Sequence, residues 1–130
     1  MARILVAEDE FLVRYMVGED LTEDGHLVLL AGNGDEAAGM LDGDGDIDLL
    51  ITDIRMPGAI DGWRLGEIAA GAIPGIRVIY ATGYTEETRP LQPHERLLYK
   101  PFVFSQVRAA MTELGIRDAG AGSPSQATSA

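Results

Sequence analysis

The sequence contains no cysteine, and basic residues are scarce. The absence of cysteine excludes disulfide frameworks, thiolate zinc sites and cysteine nucleophiles, so any chemistry must use oxygen and nitrogen groups. There are 21 acidic and 10 basic residues, and the formal net charge is -11. This balance argues against a surface for duplex nucleic acid, because phosphates require neutralisation by Lys and Arg. We therefore expect no nucleic-acid partner.

Long hydrophobic runs are also missing. No apolar stretch approaches the roughly 18 residues that suggest a membrane span, so we expect no membrane insertion and a cytoplasmic location. The 130 residues can bury one core but hardly two. We predict a single folded domain over residues 1–116. Residues 117–130 are rich in Gly, Ala and Ser, a composition that predicts a disordered tail.

Short apolar runs alternate with segments of helical spacing, which is typical of an α/β protein with a parallel sheet. The predicted strands cover residues 3–8, 26–31, 47–52, 77–81 and 96–99. Asn33 and Asp61 are candidate N-caps of the second and third helices. The helical pattern nearly fails after Tyr84, where we expect only a short helix and a mobile loop. A last helix is predicted over residues 103–114.

Five strands and five helices in alternation predict right-handed crossovers and a doubly wound five-stranded parallel sheet with strand order 2-1-3-4-5. In such sheets ligands bind beyond the carboxyl ends of the strands. Polar side chains follow four of the five predicted strands at this edge. These side chains are Glu8, Asp9, Asp53, Thr82 and Lys100.

Three carboxylates at one sheet edge would repel one another and raise their own pKa values unless a cation neutralises them. Ligands that are all oxygen favour a hard divalent ion, and few carboxylates with room for water favour Mg²⁺. Asp53 ends the central strand and is the best candidate nucleophile for accepting a phosphoryl group. The ammonium of Lys100, the only lysine in the chain, and the Thr82 hydroxyl could stabilise the transferring group. The alternative for Lys100 is chance in an arginine-rich composition.

Four segments carry a resemblance to the receiver domains of two-component response regulators. They are Val6-Ala7-Glu8-Asp9-Glu10, Asp53-Ile54-Arg55-Met56-Pro57-Gly58, Ala81-Thr82-Gly83 and Lys100-Pro101-Phe102. Their order and spacing resemble those of that family from Arg3 to about Leu114. The resemblance implies the flavodoxin-like receiver fold, which has the 2-1-3-4-5 strand order.

The resemblance also implies roles for individual residues. Asp53 would accept a phosphoryl group from a histidine kinase or a histidine phosphotransfer protein. Thr82 and Lys100 would contact that group. The implied Mg²⁺ ligands are Glu8, Asp9, Asp53 and the backbone carbonyl of Arg55.

The sequence departs from the family pattern at one position that bears on signalling. Receivers commonly carry an aromatic switch residue three positions before the Lys, where this chain has Leu97. The run Tyr80-Ala81-Thr82-Gly83-Tyr84 is similar to the Phe-Ala-Thr-Gly-x-Tyr signature of a subgroup of single-domain receivers that also lacks this aromatic. The subgroup resemblance favours a phosphorelay or adaptor role based on protein contact.

Two other functions are compatible with parts of the sequence. A degenerate receiver would act as a phosphorylation-independent adaptor, which a missing site residue would favour. A hydrolase of the haloacid dehalogenase type normally has a second Asp two residues after the nucleophile, where Arg55 stands, so we expect no enzymatic turnover of an external substrate. We predict that His26 and His94 are exposed polar residues.

Overall fold

A computed structural model describes residues 1–83 and 89–116. The five strands are β1 (Arg3–Ala7), β2 (Leu27–Ala31), β3 (Leu49–Asp53), β4 (Arg77–Thr82) and β5 (Glu95–Tyr99). The helices in this part of the chain are α1 (Phe11–Glu23), α2 (Gly34–Gly43), α3 (Gly62–Ala72) and α4 (Phe104–Glu113). Among these described helices, none is long and apolar enough to cross a membrane.

The strands form one parallel sheet in the order β2-β1-β3-β4-β5. The predicted doubly wound fold is confirmed, and the observed strand ends differ from the predicted ones by one or two residues. The expected short helix after Tyr84 falls partly on residues 84–88, which lie outside the described residues. Residues 89–94, which complete that connection, are not helical.

The central strands are apolar because both faces of the sheet are covered. Alternate residues point to opposite faces, so Leu50 and Val78 pack in the layer under α2 and α3. Leu49 and Ile79 pack in the layer under α1 and α4. All four side chains are fully buried. A sheet buried on both sides leaves its ends as the places where polar groups reach solvent.

The two predicted N-caps are confirmed by side-chain hydrogen bonds. Asn33 Oδ1 accepts the backbone N–H of Glu36 at 2.8 Å, and Asp61 Oδ1 accepts that of Arg64 at 2.9 Å. Each bond satisfies a donor that the first turn of a helix leaves without an intrahelical partner. Polar residues at these positions therefore begin α2 and α3.

Tyr80 ties β4 to β5 inside the layer under α2 and α3. Its side chain is fully buried, and its hydroxyl donates a hydrogen bond to Glu95 Oε2 at 2.9 Å. Burial and this bond to a carboxylate raise the pKa of Tyr80 well above its ordinary value. A Cβ on Gly66 of α3 would collide with the Tyr80 hydroxyl, so only glycine fits there. Trp63 packs on the Tyr80 ring with centroids 4.5 Å apart.

The prediction that His26 is exposed was wrong. Only 5% of His26 is exposed, and its Nδ1 accepts the backbone N–H of Ala2 at 3.1 Å. The backbone N–H of Leu27 in turn donates to the Ala2 carbonyl at 2.9 Å. The N-terminal residues therefore pair alongside the start of β2 and cover the imidazole. The sequence around His26 shows only a polar residue before a strand, and it gives no sign of this long-range contact with Ala2.

Candidate functional site

The strand order brings the predicted site residues to the carboxyl edge of the sheet. Glu8 and Asp9 directly follow β1, and Asp53 is the last residue of β3, the strand beside it. Thr82 ends β4 and Lys100 directly follows β5. Parallel strands all present their carboxyl ends at one edge, so residues from distant parts of the sequence meet there.

The three carboxylates form one cluster. One oxygen each from Glu8, Asp9 and Asp53 can be chosen such that all three lie within 4.8 Å of one another. Glu8 and Asp53 are only 5% and 9% exposed, whereas Asp9 faces solvent. Their donor set is oxygen alone, which is the chemistry that a hard divalent cation such as Mg²⁺ prefers. The residues present therefore fit a site of that kind.

Lys100 joins two of these carboxylates. Its Nζ donates to Glu8 Oε1 and to Asp53 Oδ2, each at 2.9 Å. Its backbone N–H donates to the Thr82 carbonyl at 2.8 Å, and the Lys100–Pro101 peptide bond is cis. Burial opposes the charged ammonium, but its hydrogen bonds to Glu8 and Asp53 outweigh that effect and raise the pKa of Lys100. The side chain therefore remains a cation at neutral pH.

The Asp53 carboxyl has an unusual affinity for protons. Burial raises its pKa, the hydrogen bond from Lys100 opposes that rise, and the nearby Glu8 carboxylate adds to it, with a resulting pKa of about 7. Desolvation is the main physical cause, and the sharing of one ammonium by two carboxylates adds to it. A further positive charge beside this pair would favour the ionised form of Asp53, which is the form that can act as a nucleophile.

The acidic turn after β1 is held by its own hydrogen bonds. Glu8 Oε2 accepts the backbone N–H of Glu10 at 3.0 Å. The guanidinium of Arg14 on α1 donates from Nη1 to the Glu8 carbonyl at 2.7 Å. Arg14 was not among the predicted site residues, because a basic residue in the second turn of a helix looks like a solvent-facing one. Only the fold shows that it reaches back to β1.

Thr82 and Arg55 occupy the same edge of the sheet. Thr82 is buried at the end of β4, whose Ala81 lies opposite Asp53 in the ladder. Arg55 is exposed and follows Ile54, whose backbone N–H donates to the Ala81 carbonyl at 3.0 Å. An open cavity of about 460 Å³ begins here, lined by Asp9, Ile54, Arg55, Met56, Pro57, Asp61 and Trp63. Two of the predicted site residues, Asp9 and Arg55, thus border an accessible space.

Large apolar side chains lie exposed beside this site. Four of them, which we call the α1 apolar surface, are Phe11, Leu12, Tyr15 and Met16, with exposed fractions of 68%, 65%, 50% and 55%. A second cavity of about 650 Å³ runs between α1 and the connection from β5 to α4, and Met16 and Lys100 both line it. The α1 apolar surface therefore continues to the lysine of the site.

A parallel 2-1-3-4-5 sheet with an acidic cluster and a lysine at its carboxyl edge defines a doubly wound α/β domain with a polar site at the strand ends. Residues 4–112 match the model of the response regulator receiver domain family. The chain belongs to this family, as the four sequence segments that resemble receiver domains indicated.

Solved structures of response regulators agree with this assignment. A response regulator receiver protein from Sinorhizobium medicae superposes with a TM-score of 0.79 and 30% identity, covering 87% of this chain and 93% of that one. The response regulator TrrA from Thermotoga maritima, in complex with Mg²⁺ and BeF, superposes with a TM-score of 0.77 and 31% identity, covering 88% and 99%.

Among curated proteins, the transcriptional regulatory protein TcrA of Mycobacterium tuberculosis is 41% identical over 63 residues. That alignment covers 48% of this chain but only 24% of the relative. The similarity is therefore to one part of a longer protein.

Proposed function

We propose that this chain is a response regulator whose Asp53 accepts a phosphoryl group from a histidine kinase or a histidine phosphotransfer protein and which signals by protein contact. The observation that carries the proposal is the environment of Asp53. Asp53 is 9% exposed, and its carboxylate accepts a hydrogen bond from the Lys100 ammonium at 2.9 Å. The same carboxylate forms a cluster with those of Glu8 and Asp9.

Each side chain has a chemical task in the proposed transfer. An Asp53 oxygen attacks phosphorus, a new O–P bond forms, and the P–N bond to the donor imidazole breaks, with its electron pair left on the imidazole nitrogen. The Lys100 ammonium, already aimed at Asp53, would pair with an oxygen of the transferred group. The Thr82 hydroxyl at the end of β4 would donate a hydrogen bond to another. Transfer of this kind depends mainly on alignment and charge stabilisation.

Glu8, Asp9, Asp53 and the Arg55 carbonyl would hold Mg²⁺ in this proposal. Bound Mg²⁺ supplies positive charge that offsets the carboxylates and the phosphoryl oxygens. The oxygen-only donor set supports this assignment, as does the similarity to TrrA, which was solved with Mg²⁺ and BeF. The role is one of accepting and losing a phosphoryl group, not of turning over an external substrate.

The α1 apolar surface supports signalling by contact. Contiguous exposed apolar side chains next to a reactive group are typical of a protein interaction site. Phe11, Leu12, Tyr15 and Met16 are all at least half exposed, and their neighbour Lys100 connects them to Asp53. We propose that the phosphodonor docks on this surface, with residues 1–116 acting as one receiver domain. The prediction made for residues 117–130 lies outside the described residues. The cytoplasmic location and the lack of a nucleic-acid partner stay predictions.

The experiment is intact mass spectrometry after incubation with Mg²⁺ and acetyl phosphate. We expect one phosphoryl adduct on the wild type, and none with Asp53→Asn or without metal. Asp61→Asn is a matched control, because it changes a carboxylate at the same cavity while keeping an N-cap residue. Its adduct should equal that of the wild type.

The alternative is a receiver-like adaptor that never uses phosphate. The same mass measurement with a phosphorylated histidine phosphotransfer protein as donor separates the two functions. An adduct from either donor supports the proposed receiver chemistry. Absence of an adduct from both donors, in protein that remains folded, would contradict it and favour the adaptor.

A further inference from the structure

Arg14 holds the turn that carries two of the three clustered carboxylates. It lies in the second turn of α1, and its Nη1 donates to the Glu8 carbonyl at 2.7 Å. The guanidinium also lies over the Phe11 ring, 5.6 Å from the ring centroid. A Cβ on Gly32, just after β2, would lie 3.3 Å from Nη1. The guanidinium is therefore confined between the ends of two neighbouring strands.

The Glu8 to Glu10 turn is fixed from two directions. Arg14 holds the Glu8 carbonyl from the side of α1. The Glu8 carboxylate binds the Glu10 N–H on the other side of the same turn. The peptide between Glu8 and Asp9 cannot rotate without losing the bond from Arg14. Its orientation decides where the exposed Asp9 carboxylate points.

We propose that Arg14 is a positioning residue for divalent-cation binding, which it promotes by fixing the Glu8 carbonyl so that the Glu8 and Asp9 carboxylates converge with Asp53. The inference rests on the metal site of the proposed function. Arg14 contributes no ligand atom to that site. Its effect passes through one backbone carbonyl, in the way that outer hydrogen bonds orient metal ligands.

The direction in which Arg14 substitutions change the Kd for Mg²⁺ distinguishes a positioning role from a purely electrostatic one. Arg14 carries a positive charge, and a positive charge near a cation site weakens cation binding. If only the charge mattered, Arg14→Gln would tighten Mg²⁺ binding and Arg14→Lys would leave it unchanged. Positioning predicts that both substitutions weaken it.

The test is a Mg²⁺ titration of the unphosphorylated full chain, followed by the backbone amide NMR shifts of residues 8–10. We expect Arg14→Gln to raise the Kd for Mg²⁺ about 10-fold, the lower end of the range for lost outer-shell partners. Arg14→Lys keeps the charge but loses the planar donor group, so we expect a smaller rise in the Kd of about threefold, below the range for complete loss of an outer-shell partner. Arg64→Gln, which removes a positive charge from the exposed surface of α3, is the control and should bind like the wild type.

Unchanged or tighter binding in folded Arg14→Gln overturns the inference. If Arg14→Gln does not fold, Arg14→Lys provides the test. This variant keeps the positive charge, so a Kd for Mg²⁺ equal to that of the wild type also overturns the inference. The outcome for the proposed function is separate. If the wild type binds no Mg²⁺, the proposed metal site itself is contradicted. If the wild type binds Mg²⁺ and the Arg14 variants bind it equally tightly, only the role of Arg14 is contradicted.

Discussion

Asp24 and Asp53 expose the same small fraction of their surface to solvent, yet their pKa values are shifted in opposite directions. Each carboxylate is 9% exposed, and each is hydrogen-bonded to a cationic side chain. The pKa of Asp24 lies below its ordinary value, whereas that of Asp53 is raised to about 7. The exposed fraction of a residue therefore does not by itself decide its protonation.

Two differences explain this contrast: desolvation, which is the main cause of the shift at Asp53 but a secondary one at Asp24, and the number of charges around each carboxylate. Asp24 receives both Nε and Nη2 of Arg108 at 2.7 Å, and this two-point bond is the main cause of its lowered pKa. Asp53 shares the single Lys100 ammonium with Glu8. The Asp24–Arg108 pair is neutral overall. Glu8, Asp53 and Lys100 together carry one net negative charge when both carboxylates are ionised.

The comparison contrasts a structural ion pair with the charge cluster of the proposed phosphoacceptor site. The Asp24 pair joins the end of α1 to α4 and is electrostatically complete. The cluster at Asp53 keeps a charge imbalance that a bound cation or a phosphoryl transfer would change. Groups with perturbed pKa values in such surroundings are typical of functional sites.

The largest expected effect comes from removing the shared cation. Lys100→Ala leaves two buried carboxylates facing each other and removes the positive charge aimed at the phosphoryl group. We expect adduct formation to slow about 100-fold, the scale for losing one oriented charge-stabilising donor. Time-resolved intact mass spectrometry with acetyl phosphate and Mg²⁺ measures this rate. Arg108→Gln, which breaks the other pair, should keep the wild-type rate, and a comparable slowing there would refute the contrast.

The pH dependence of stability should have opposite signs at the two carboxylates. The raised pKa of Asp53 means that its stabilising contribution is complete below about pH 3.8 and is lost as the pH rises to about 7. The lowered pKa of Asp24 means that its contribution is present above pH 3.8 and is lost below it.

Urea unfolding without metal between pH 4.5 and 7.5 isolates the contribution of Asp53. The free energy of unfolding of the wild type, relative to Asp53→Asn, should fall with rising pH at no more than about 1.4 kcal/mol per unit. Saturating Mg²⁺ should reduce this slope, because it favours the ionised carboxylates. A relative stability that is flat or rising over this range would refute the raised pKa.

Breaking the Asp24–Arg108 pair should lower the stability of the protein without slowing phosphoryl transfer to Asp53. Arg108→Gln leaves the Asp24 carboxylate buried without its two-point partner. Because the Arg108 side chain is 53% exposed, solvent compensates part of the loss, and we expect a destabilisation of about 1 kcal/mol. Urea unfolding at pH 7 measures it. An unchanged free energy of unfolding would show that the pair contributes nothing to the docking of α4.

The smallest effect is expected at an ion pair whose two side chains are both more than half exposed. Arg64 Nη1 lies 3.1 Å from Glu67 Oε1 on α3, with the two side chains 62% and 53% exposed. We expect Arg64→Ala to change the free energy of unfolding by less than about 0.5 kcal/mol. The same urea series provides the measurement, and a loss as large as that of Arg108→Gln would remove the distinction between buried and exposed pairs.

Much of the fold was predictable because its signals are local. Apolar runs marked all five strands to within two residues. Asn33 and Asp61 marked the starts of α2 and α3 because an N-cap requires a short polar side chain. The strand order follows from general rules for crossovers, and those rules place Glu8, Asp53, Thr82 and Lys100 at one edge.

The sequence by itself therefore determined the five strands, their order and the residues that meet at the candidate site. The tertiary structure decided the details that depend on contacts between distant residues. Lys100 is shared between Glu8 and Asp53, 92 and 47 residues away, and burial, together with this sharing, raises the pKa of Asp53. The same holds for the buried His26, the reach of Arg14 to the Glu8 carbonyl, and the exposure of the α1 apolar surface. No local pattern encodes these features, because each depends on which surfaces the completed fold brings together.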